Sequence, residues 1–248
     1  MTSPRPVVLV TGAGAGIGRA CAITLASHGY HVIAADRDER SAESTTRHIG
    51  DHGGFGDAHV CDVTNSAAVD AMVDMIIRKH GALDGAVNNA GISGARVGIA
   101  DLDDEAWIHT RSIDLDGVLY CMRAEIRAMR PRGRGSIVNM ASILSTVAVS
   151  NAAAYITAKH GVLGLTRSAA LDYAQDGIRI NAVGPGFIDV ERRHTMAADV
   201  RHDLTARHPI GRLGSPEDVA ELVTFLMSER ARNITGSFVP TDGGYTVH

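Results

Sequence analysis

The sequence predicts an α/β protein with one doubly wound, parallel, seven-stranded sheet and helices on both faces. Seven short apolar runs have the length of strands, and helical patterns lie between them. Several runs lack polar/apolar alternation, which is typical of parallel strands covered on both faces. The alternation of strand and helix indicates right-handed βαβ units. The strands are predicted at residues 6–10, 31–36, 56–61, 84–87, 136–139, 178–183 and 237–240.

Two of the intervening helices have clear signatures. One carries an apolar stripe with a 3.6-residue period and ends at Gly81; the stripe comprises Val69, Met72, Val73, Ile76 and Ile77. Another begins at Ser215, a favoured N-cap, with Pro216 in the first helical position and acidic residues in the first turn. Both patterns predict amphipathic helices that pack on the sheet.

Composition excludes several classes of protein. The chain has 248 residues, 45% of them apolar, and a net charge of −4, so it predicts one globular domain over residues 1–248 without a basic surface for nucleic acid. Its apolar runs are far shorter than the roughly 20 residues of a membrane span. The first residues lack the apolar core of a signal peptide. Cys21, Cys61 and Cys121 are an odd number of distant cysteines, so we expect reduced thiols and a cytosolic protein.

Unusual segments follow six of the predicted strands. Open α/β sheets bind ligands at the carboxyl ends of their strands, so these segments are expected to meet at one edge. They are the glycine run at 11–18, Asp36, Asp62, the stretch 88–91, Ser142, and Pro185 with Gly186. The pattern predicts a single binding site there.

The glycine run lies between the first strand and the first helix. Its sequence is Thr-Gly-x-x-x-Gly-x-Gly and not the common GxGxxG, because Ile17 occupies the last position of that pattern. Glycines let the backbone turn tightly and approach a pyrophosphate, which the helix N-terminus attracts. The run therefore predicts a dinucleotide site with the candidate residues Thr11, Gly12, Gly14, Gly16, Ile17 and Gly18.

Asp36, at the end of the second strand, favours NAD over NADP. A carboxylate there accepts the ribose hydroxyls, whereas a 2′-phosphate would meet a like charge. At roughly 4 Å that repulsion is about 1–4 kcal/mol, or about tenfold or more in preference. Arg37 is the counter-argument, since an arginine after this strand can receive the phosphate.

Tyr155 and Lys159 lie four residues apart on one predicted helix face, so their side chains are neighbours. A tyrosine titrates near 10 in isolation, and it needs a nearby positive charge to act as a base at neutral pH. The lysine ammonium provides that charge. Ser142, on the loop after the fifth strand, can donate a hydrogen bond to a substrate oxygen. These groups predict an acid/base catalyst for hydride transfer between an alcohol and NAD.

Taken in order, these motifs resemble the classical short-chain dehydrogenase/reductase family over essentially the whole chain. The resemblance implies a Rossmann-type fold and three catalytic roles. Tyr155 is the acid/base, Lys159 adjusts the pKa of that tyrosine and binds the cofactor ribose, and Ser142 orients the substrate. The resemblance also implies further cofactor contacts from Asp62, Val63, Asn89, Ala90, Gly91, Pro185, Gly186 and Ile188. By the same resemblance, residues of about 187–208 form a substrate lid, and the chain assembles into a homotetramer.

Two positions depart from the family pattern. Asp114 stands where the family has a catalytic asparagine, and Val190 stands where a threonine usually touches the nicotinamide amide. An aspartate keeps the main-chain carbonyl that holds a water, and it can pair with Lys159. We therefore expect an altered pH dependence and an active enzyme, the alternative being an acid without consequence. At Val190 one hydrogen bond, about 1 kcal/mol, is expected to be missing.

The substrate stays open at this point. The predicted lid carries Arg192, Arg193, His194 and Arg201, which suit an anionic substrate or simply a solvated loop. The candidate substrates are a sugar or polyol, another secondary alcohol, and a 3-oxoacyl thioester. The rival hypotheses are a catalytically weak NAD-binding sensor or scaffold, and the extended epimerases and dehydratases, which fit the glycine spacing poorly. No metal site is predicted, because none of the twelve histidines shows zinc-ligand spacing.

Overall fold

A computed structural model describes residues 5–191 and 197–247. Seven parallel strands form one sheet in the order β3-β2-β1-β4-β5-β6-β7. Their bounds are Val7–Thr11 (β1), His31–Asp36 (β2), Phe55–Val60 (β3), Gly85–Asn88 (β4), Gly135–Met140 (β5), Ile178–Pro185 (β6) and Phe238–Thr241 (β7). This is the doubly wound, Rossmann-type sheet that the sequence predicts, and every predicted strand is present.

Helices cover both faces of the sheet. They are Gly16–Ser27 (α1), Glu39–Asp51 (α2), Ser66–His80 (α3), Asp104–Arg111 (α4), Gly117–Met129 (α5), Ala153–Tyr173 (α6), Ala198–Ala206 (α7) and Pro216–Met227 (α8). One apolar layer lies beneath α3, α5 and α6, and a second lies beneath α1 and α8. Both faces of the central strands are therefore dry, which explains their uninterrupted apolar sequence.

The two helix signatures are confirmed. In α3 the stripe residues Val69, Met72, Val73 and Ile76 are buried, and Gly81 ends the helix in the left-handed conformation. In α8 Ser215 and Asp218 form a reciprocal capping box, and Pro216 occupies the first turn. Strand β6 is longer than predicted because its last residues, Gly184 and Pro185, pair with β7.

The strand order reverses at β1, which lies between β2 and β4. This reversal opens a crevice at the carboxyl ends of β1 and β4, the place where such sheets bind ligands. The Thr11 hydroxyl joins the two strands at the crevice, because its Oγ1 accepts the backbone N–H groups of Asn89 (3.0 Å) and Ala90 (3.1 Å). The topology thus positions the glycine run beside the segment that follows β4.

Two further expectations can be compared with the structure. Cys21, Cys61 and Cys121 are all buried and form no disulfide, in agreement with the prediction of free thiols. In the part of the chain that the structure describes, no helix has the length and hydropathy to cross a membrane.

Candidate active site

A cleft of about 600 Å³ opens at the carboxyl edge of the sheet. The predicted site residues that line it are Gly12, Gly16, Ile17, Gly18, Asp36, Arg37, Asp62, Val63, Asn89, Ala90, Gly91, Asp114, Ser142, Tyr155, Lys159, Pro185, Gly186 and Ile188. Residues separated by up to 176 positions in the sequence, Gly12 and Ile188 among them, therefore meet in one site.

Thr11 and Gly14 do not line the cleft, and they support its wall instead. Thr11 holds the backbone of residues 89 and 90 as described above. The N–H of Gly14 donates to Asp36 Oδ2 at 2.9 Å, and a side chain at position 14 would collide with Ser41, since an added Cβ would lie 2.6 Å from its Cβ. Both residues act by fixing the groups that face the cleft.

The glycine run is packed so closely that Gly18 admits no side chain. An added Cβ would lie 2.1 Å from the carbonyl oxygen of Gly12 and 2.3 Å from Nδ2 of Asn89. That amide in turn donates to the carbonyl oxygens of Thr11 and Gly12. The N-terminus of α1 has no side-chain cap and no acidic residue in its first turn, so its N–H groups face the cleft uncompensated. This arrangement fits a pyrophosphate.

Asp36 is held in a fixed orientation at the end of β2. Its Oδ2 accepts the Gly14 N–H and its Oδ1 accepts the Asp38 N–H at 3.0 Å. Its neighbour Arg37 also borders the cleft and is exposed. Farther along the same wall, Asp62 Oδ1 accepts the Thr64 N–H at 2.9 Å and the Thr64 hydroxyl at 2.8 Å. The outer part of the cleft is therefore bordered by two oriented carboxylates.

Lys159 is almost fully buried in the opposite wall. Its ammonium donates to the carbonyl oxygen of Met140 at 3.0 Å and lies 5.6 Å from the centroid of the Tyr155 ring. The backbone carbonyl of Lys159 accepts the Ser145 hydroxyl at 2.8 Å, which ties α6 to the loop after β5. The predicted neighbourhood of Tyr155 and Lys159 on one helix face is confirmed.

Asp114 is fully buried in a five-residue π-helical segment, Ser112–Asp116, between α4 and α5. Its Oδ1 accepts the Ile92 N–H at 2.7 Å, and its Oδ2 lies 3.6 Å from the Lys159 ammonium. The ion pair that the sequence suggested is therefore present. Gly91 leaves room for it, because an added Cβ would lie 3.3 Å from Asp114 Oδ1 and 3.5 Å from Lys159 Nζ.

Ser142 and the β6 loop complete the inner part of the cleft. Ser142 Oγ accepts the Leu144 N–H at 3.1 Å, so its own hydrogen is available to another acceptor. Gly186 packs against the loop after β7: its N–H donates to the Thr241 carbonyl at 3.0 Å, and an added Cβ would lie 2.9 Å from Asp242 Cα. Val190 lies against Gly16, where an added Cβ would be 3.4 Å from its Cγ1.

The predicted lid is described in part. Arg192, Arg193 and His194 fall within residues 192–196, outside the described ranges. Arg201, on α7, forms a two-pronged ion pair with Asp189, so this arginine is engaged within the lid segment itself.

A buried polar network lies behind the cleft, between the sheet and α5 and α6. Asn88 Nδ2 donates to Glu125 Oε2 and to Asn139 Oδ1, each at 3.0 Å, and Asn139 Nδ2 donates to Thr166 Oγ1 at 2.9 Å. Burial raises the pKa of Glu125 to about 8, against the lowering effect of the hydrogen bond from Asn88. The network fixes the ends of β4 and β5 from which the site loops depart.

Sequence reasoning missed several residues of the cleft. His109, Ser112 and Ile92 line it, with Ser112 only two residues before Asp114. The positions of His109 and Ser112 depend on how α4 and the π-helical segment pack against α6. The one available signal was proximity in sequence to Asp114 and Gly91. Glu191, within the predicted lid, also lines the cleft.

Comparison with known proteins identifies the family. A family model described as enoyl-(acyl carrier protein) reductase matches residues 12–246. A cis-4-hydroxycyclohexanecarboxylate dehydrogenase from Sinomonas cyclohexanicum is 43% identical over 240 residues, covering 97% of this chain and 96% of the relative. The chain belongs to the short-chain dehydrogenase/reductase family.

Two further similarities agree with this assignment. A cyclohexanol dehydrogenase from Acinetobacter sp. strain SE19 is 40% identical and covers 97% of this chain, which spans 94% of that relative. A variant of actinorhodin polyketide ketoreductase, solved with NADPH, has a TM-score of 0.94 at 33% identity and covers 100% of this chain and 99% of its own. The protein is therefore an oxidoreductase of a family that acts on secondary alcohols with nicotinamide cofactors.

Proposed function

We propose that the protein is an NAD-dependent dehydrogenase that oxidises cyclic secondary alcohols, with Tyr155 as the acid/base. One observation carries the proposal: Ser142, Tyr155 and Lys159 line the same cleft as the tightly packed glycine run and Asp36. A dinucleotide site and an acid/base group in one cleft are what hydride transfer requires.

The residues present fit a nicotinamide dinucleotide. The uncapped N-terminus of α1 suits its pyrophosphate, the close packing at Gly18 holds the glycine run beside it, and Asp36 suits its adenosine ribose. Asn89, Pro185, Gly186 and Ile188 border the remainder of its path. When bound, NAD accepts a hydride from the carbinol carbon of the substrate.

The protein's own residues handle the proton and the substrate oxygen. Ser142 donates its available hydrogen to that oxygen and orients it. Tyr155 removes the hydroxyl proton in oxidation and returns a proton in reduction. The Lys159 ammonium, held by the Met140 carbonyl, lies 5.6 Å from the centroid of the Tyr155 ring and supplies a positive charge beside the proton-transferring group. The Asp114 carboxylate fixes that ammonium from its other side.

NAD is proposed over NADP because of Asp36. Its two oxygens are oriented by Gly14 and Asp38, so the carboxylate cannot easily turn away from a 2′-phosphate. Arg37 is exposed next to it and is the group that would accept such a phosphate. The polyketide ketoreductase solved with NADPH shows that a closely similar fold can take the phosphorylated cofactor.

The substrate class is proposed from the two alicyclic dehydrogenases and from the cleft lining. Ile92 and Ile113 contribute apolar surface to the cleft, and His109 and Ser112 contribute polar groups. A compact ring with one hydroxyl suits this mixture. Polyols and 3-oxoacyl thioesters are the alternatives, and the family model described for acyl-carrier-protein substrates supports the second.

The test is the initial rate of NADH formation with cyclohexanol, cis-4-hydroxycyclohexanecarboxylate and a polyol panel, and of NADH consumption with the matching ketones and a 3-oxoacyl thioester. Tyr155→Phe is expected to lower kcat by about 10²–10⁴-fold. Tyr173→Phe, farther along α6, is the matched control and should keep the wild-type rate. NADH binding without turnover of any substrate would instead support the sensor hypothesis.

Two expectations stay predictions. The cytosolic location and the homo-oligomer, a tetramer by family resemblance, are to be tested by fractionation and by light scattering.

A further inference from the structure

Two histidines and an aspartate converge at the amino-terminal edge of the sheet, opposite the cleft. His31 begins β2, Asp57 lies in β3, and His80 is the last residue of α3. The Nε2 atoms of His31 and His80 lie 2.9 and 3.1 Å from the same oxygen, Oδ2 of Asp57. One ligand-type atom from each residue lies within 4.8 Å of the other two.

His80 directs its Nε2 into this cluster. The atom is buried and lies 3.1 Å from Asp57 Oδ2, so it faces the other two ligand-type atoms and is shielded from solvent. The three side chains therefore present their ligand atoms to one another.

The electrostatic surroundings also suit a cation. His80 ends α3, and the C-terminus of a helix carries partial negative charge. The Lys79 ammonium competes with a bound cation for the carboxylate, since it lies 2.9 Å from the other oxygen of Asp57, Oδ1.

We propose that His31, Asp57 and His80 bind a divalent transition-metal ion of the zinc type. Two imidazoles and a carboxylate are a donor set that Zn²⁺ accepts, with water in the fourth position. With bonds of about 2.0–2.1 Å, tetrahedral ligand atoms lie about 3.4 Å apart, so small shifts of the three side chains would suffice. The site is distinct from the cofactor cleft and joins β2, β3 and α3.

Spacing along the sequence could not reveal this site. The ligands are separated by 26 and 23 residues and come from three elements. They come together only because β2 and β3 pair in parallel register, which puts His31 opposite Phe55, and because α3 returns the chain to the same edge. The proposal departs from the sequence-based expectation of no metal site.

Calorimetric titration of the whole protein with Zn²⁺, and the visible absorption of Co²⁺ added in its place, test the proposal. We expect one equivalent bound and a rise in Tm with added metal. His80→Gln and Asp57→Asn should each weaken binding by at least about tenfold, since even indirect partners of a metal contribute that much. The exposed His28→Gln is the control and should bind as wild type does. Circular dichroism verifies that each variant is folded.

Lys79→Met provides a test in the opposite direction. Removal of the competing ammonium should tighten Zn²⁺ binding several-fold, whereas a merely structural cluster would lose a salt bridge and gain no affinity. Among the described residues, His48 of α2 and its C-cap His52, whose ring centroids lie 4.3 Å apart, are a second histidine pair to exclude. Binding that is abolished by His48→Gln with His52→Gln, or that survives both His80→Gln and Asp57→Asn, would overturn the proposal.

Discussion

The carboxylate of Asp114 lies 3.6 Å from the ammonium of Lys159, and both side chains are buried in the wall of the cleft. The same carboxylate accepts the Ile92 N–H, so it holds the loop after β4 and the lysine at once. The position that the family fills with a neutral amide therefore holds an acidic side chain within ion-pair distance of the lysine.

Asp114→Asn should therefore alter the pH–rate profile for alcohol oxidation. The variant keeps an oxygen that can accept the Ile92 N–H and removes the carboxylate that lies 3.6 Å from the Lys159 ammonium. The profile of kcat/KM between pH 5 and 10 measures the change. Asp116→Asn, two residues along in the same segment, is the matched control. An unchanged profile in Asp114→Asn would show that the ion pair has no influence on the proton transfer.

Gly18→Ala should disrupt cofactor binding, because a methyl group there meets the Gly12 carbonyl oxygen at 2.1 Å. The main chain must shift to admit it, at about 1–3 kcal/mol of unfolding free energy. Gly164→Ala in α6 is the control, since no atom lies within 4 Å of its added Cβ. That variant should be stabilised by up to about 1 kcal/mol through helix propensity. Denaturant unfolding measures the stability of both variants, and titration with NADH measures their cofactor affinity. Equal changes in Gly18→Ala and Gly164→Ala would refute the packing argument.

Asp36→Ser should shift the cofactor preference towards NADP. The variant loses the repulsion between the carboxylate and a 2′-phosphate while Arg37 remains to receive it. The ratio of kcat/KM for NADP to that for NAD is expected to rise about tenfold or more. Asp51→Ser, on the exposed end of α2, is the control with the same change of charge. If the ratio stays constant, Asp36 does not select the cofactor.

Glu125→Gln should flatten the dependence of stability on pH. The pKa of Glu125 in the folded protein is about 8, above its ordinary value of 4.5, because burial disfavours the ionised form. The unfolded chain therefore binds fewer protons than the folded protein between these values, and the free energy of unfolding falls as pH rises through this window. The expected loss for wild type is several kcal/mol by pH 8.

Urea unfolding at pH 5 and pH 8 measures this effect. Glu125→Gln should be more stable than wild type at pH 8 and show little difference between the two values. The exposed Glu43→Gln should retain the wild-type dependence. A wild type that is equally stable at both pH values would mean that Glu125 ionises freely in its buried position.

Much of the fold could be predicted because its signals are local. The stripe in α3, the Ser215 cap of α8 and the apolar strands each reflect a few neighbouring residues. Their convergence at one edge followed from topology alone, since parallel strands have their carboxyl ends together. The Asp114–Lys159 pair was suggested by one substitution in a known pattern, and the structure contains it.

The rest depends on how whole elements pack. His109, in α4, and Ser112, at the start of the π-helical segment, reach the cleft because both elements pack against α6, and no local sequence signal gives that packing. The cluster of His31, Asp57 and His80 needs the exact register of two strands and the length of a helix. The extension of β6 through Pro185 required its neighbour β7, whose paired residues lie 56 positions farther along the chain.

The reversal of strand order at β1 also has an evolutionary consequence. The residues proposed to choose the cofactor lie before position 63, and those proposed to act on the substrate lie at or after position 92. The two preferences are thus encoded in separate stretches of the gene that meet only in the folded cleft. Mutations in the first stretch can change the preferred cofactor without altering the residues that select the alcohol. The two preferences can therefore evolve independently.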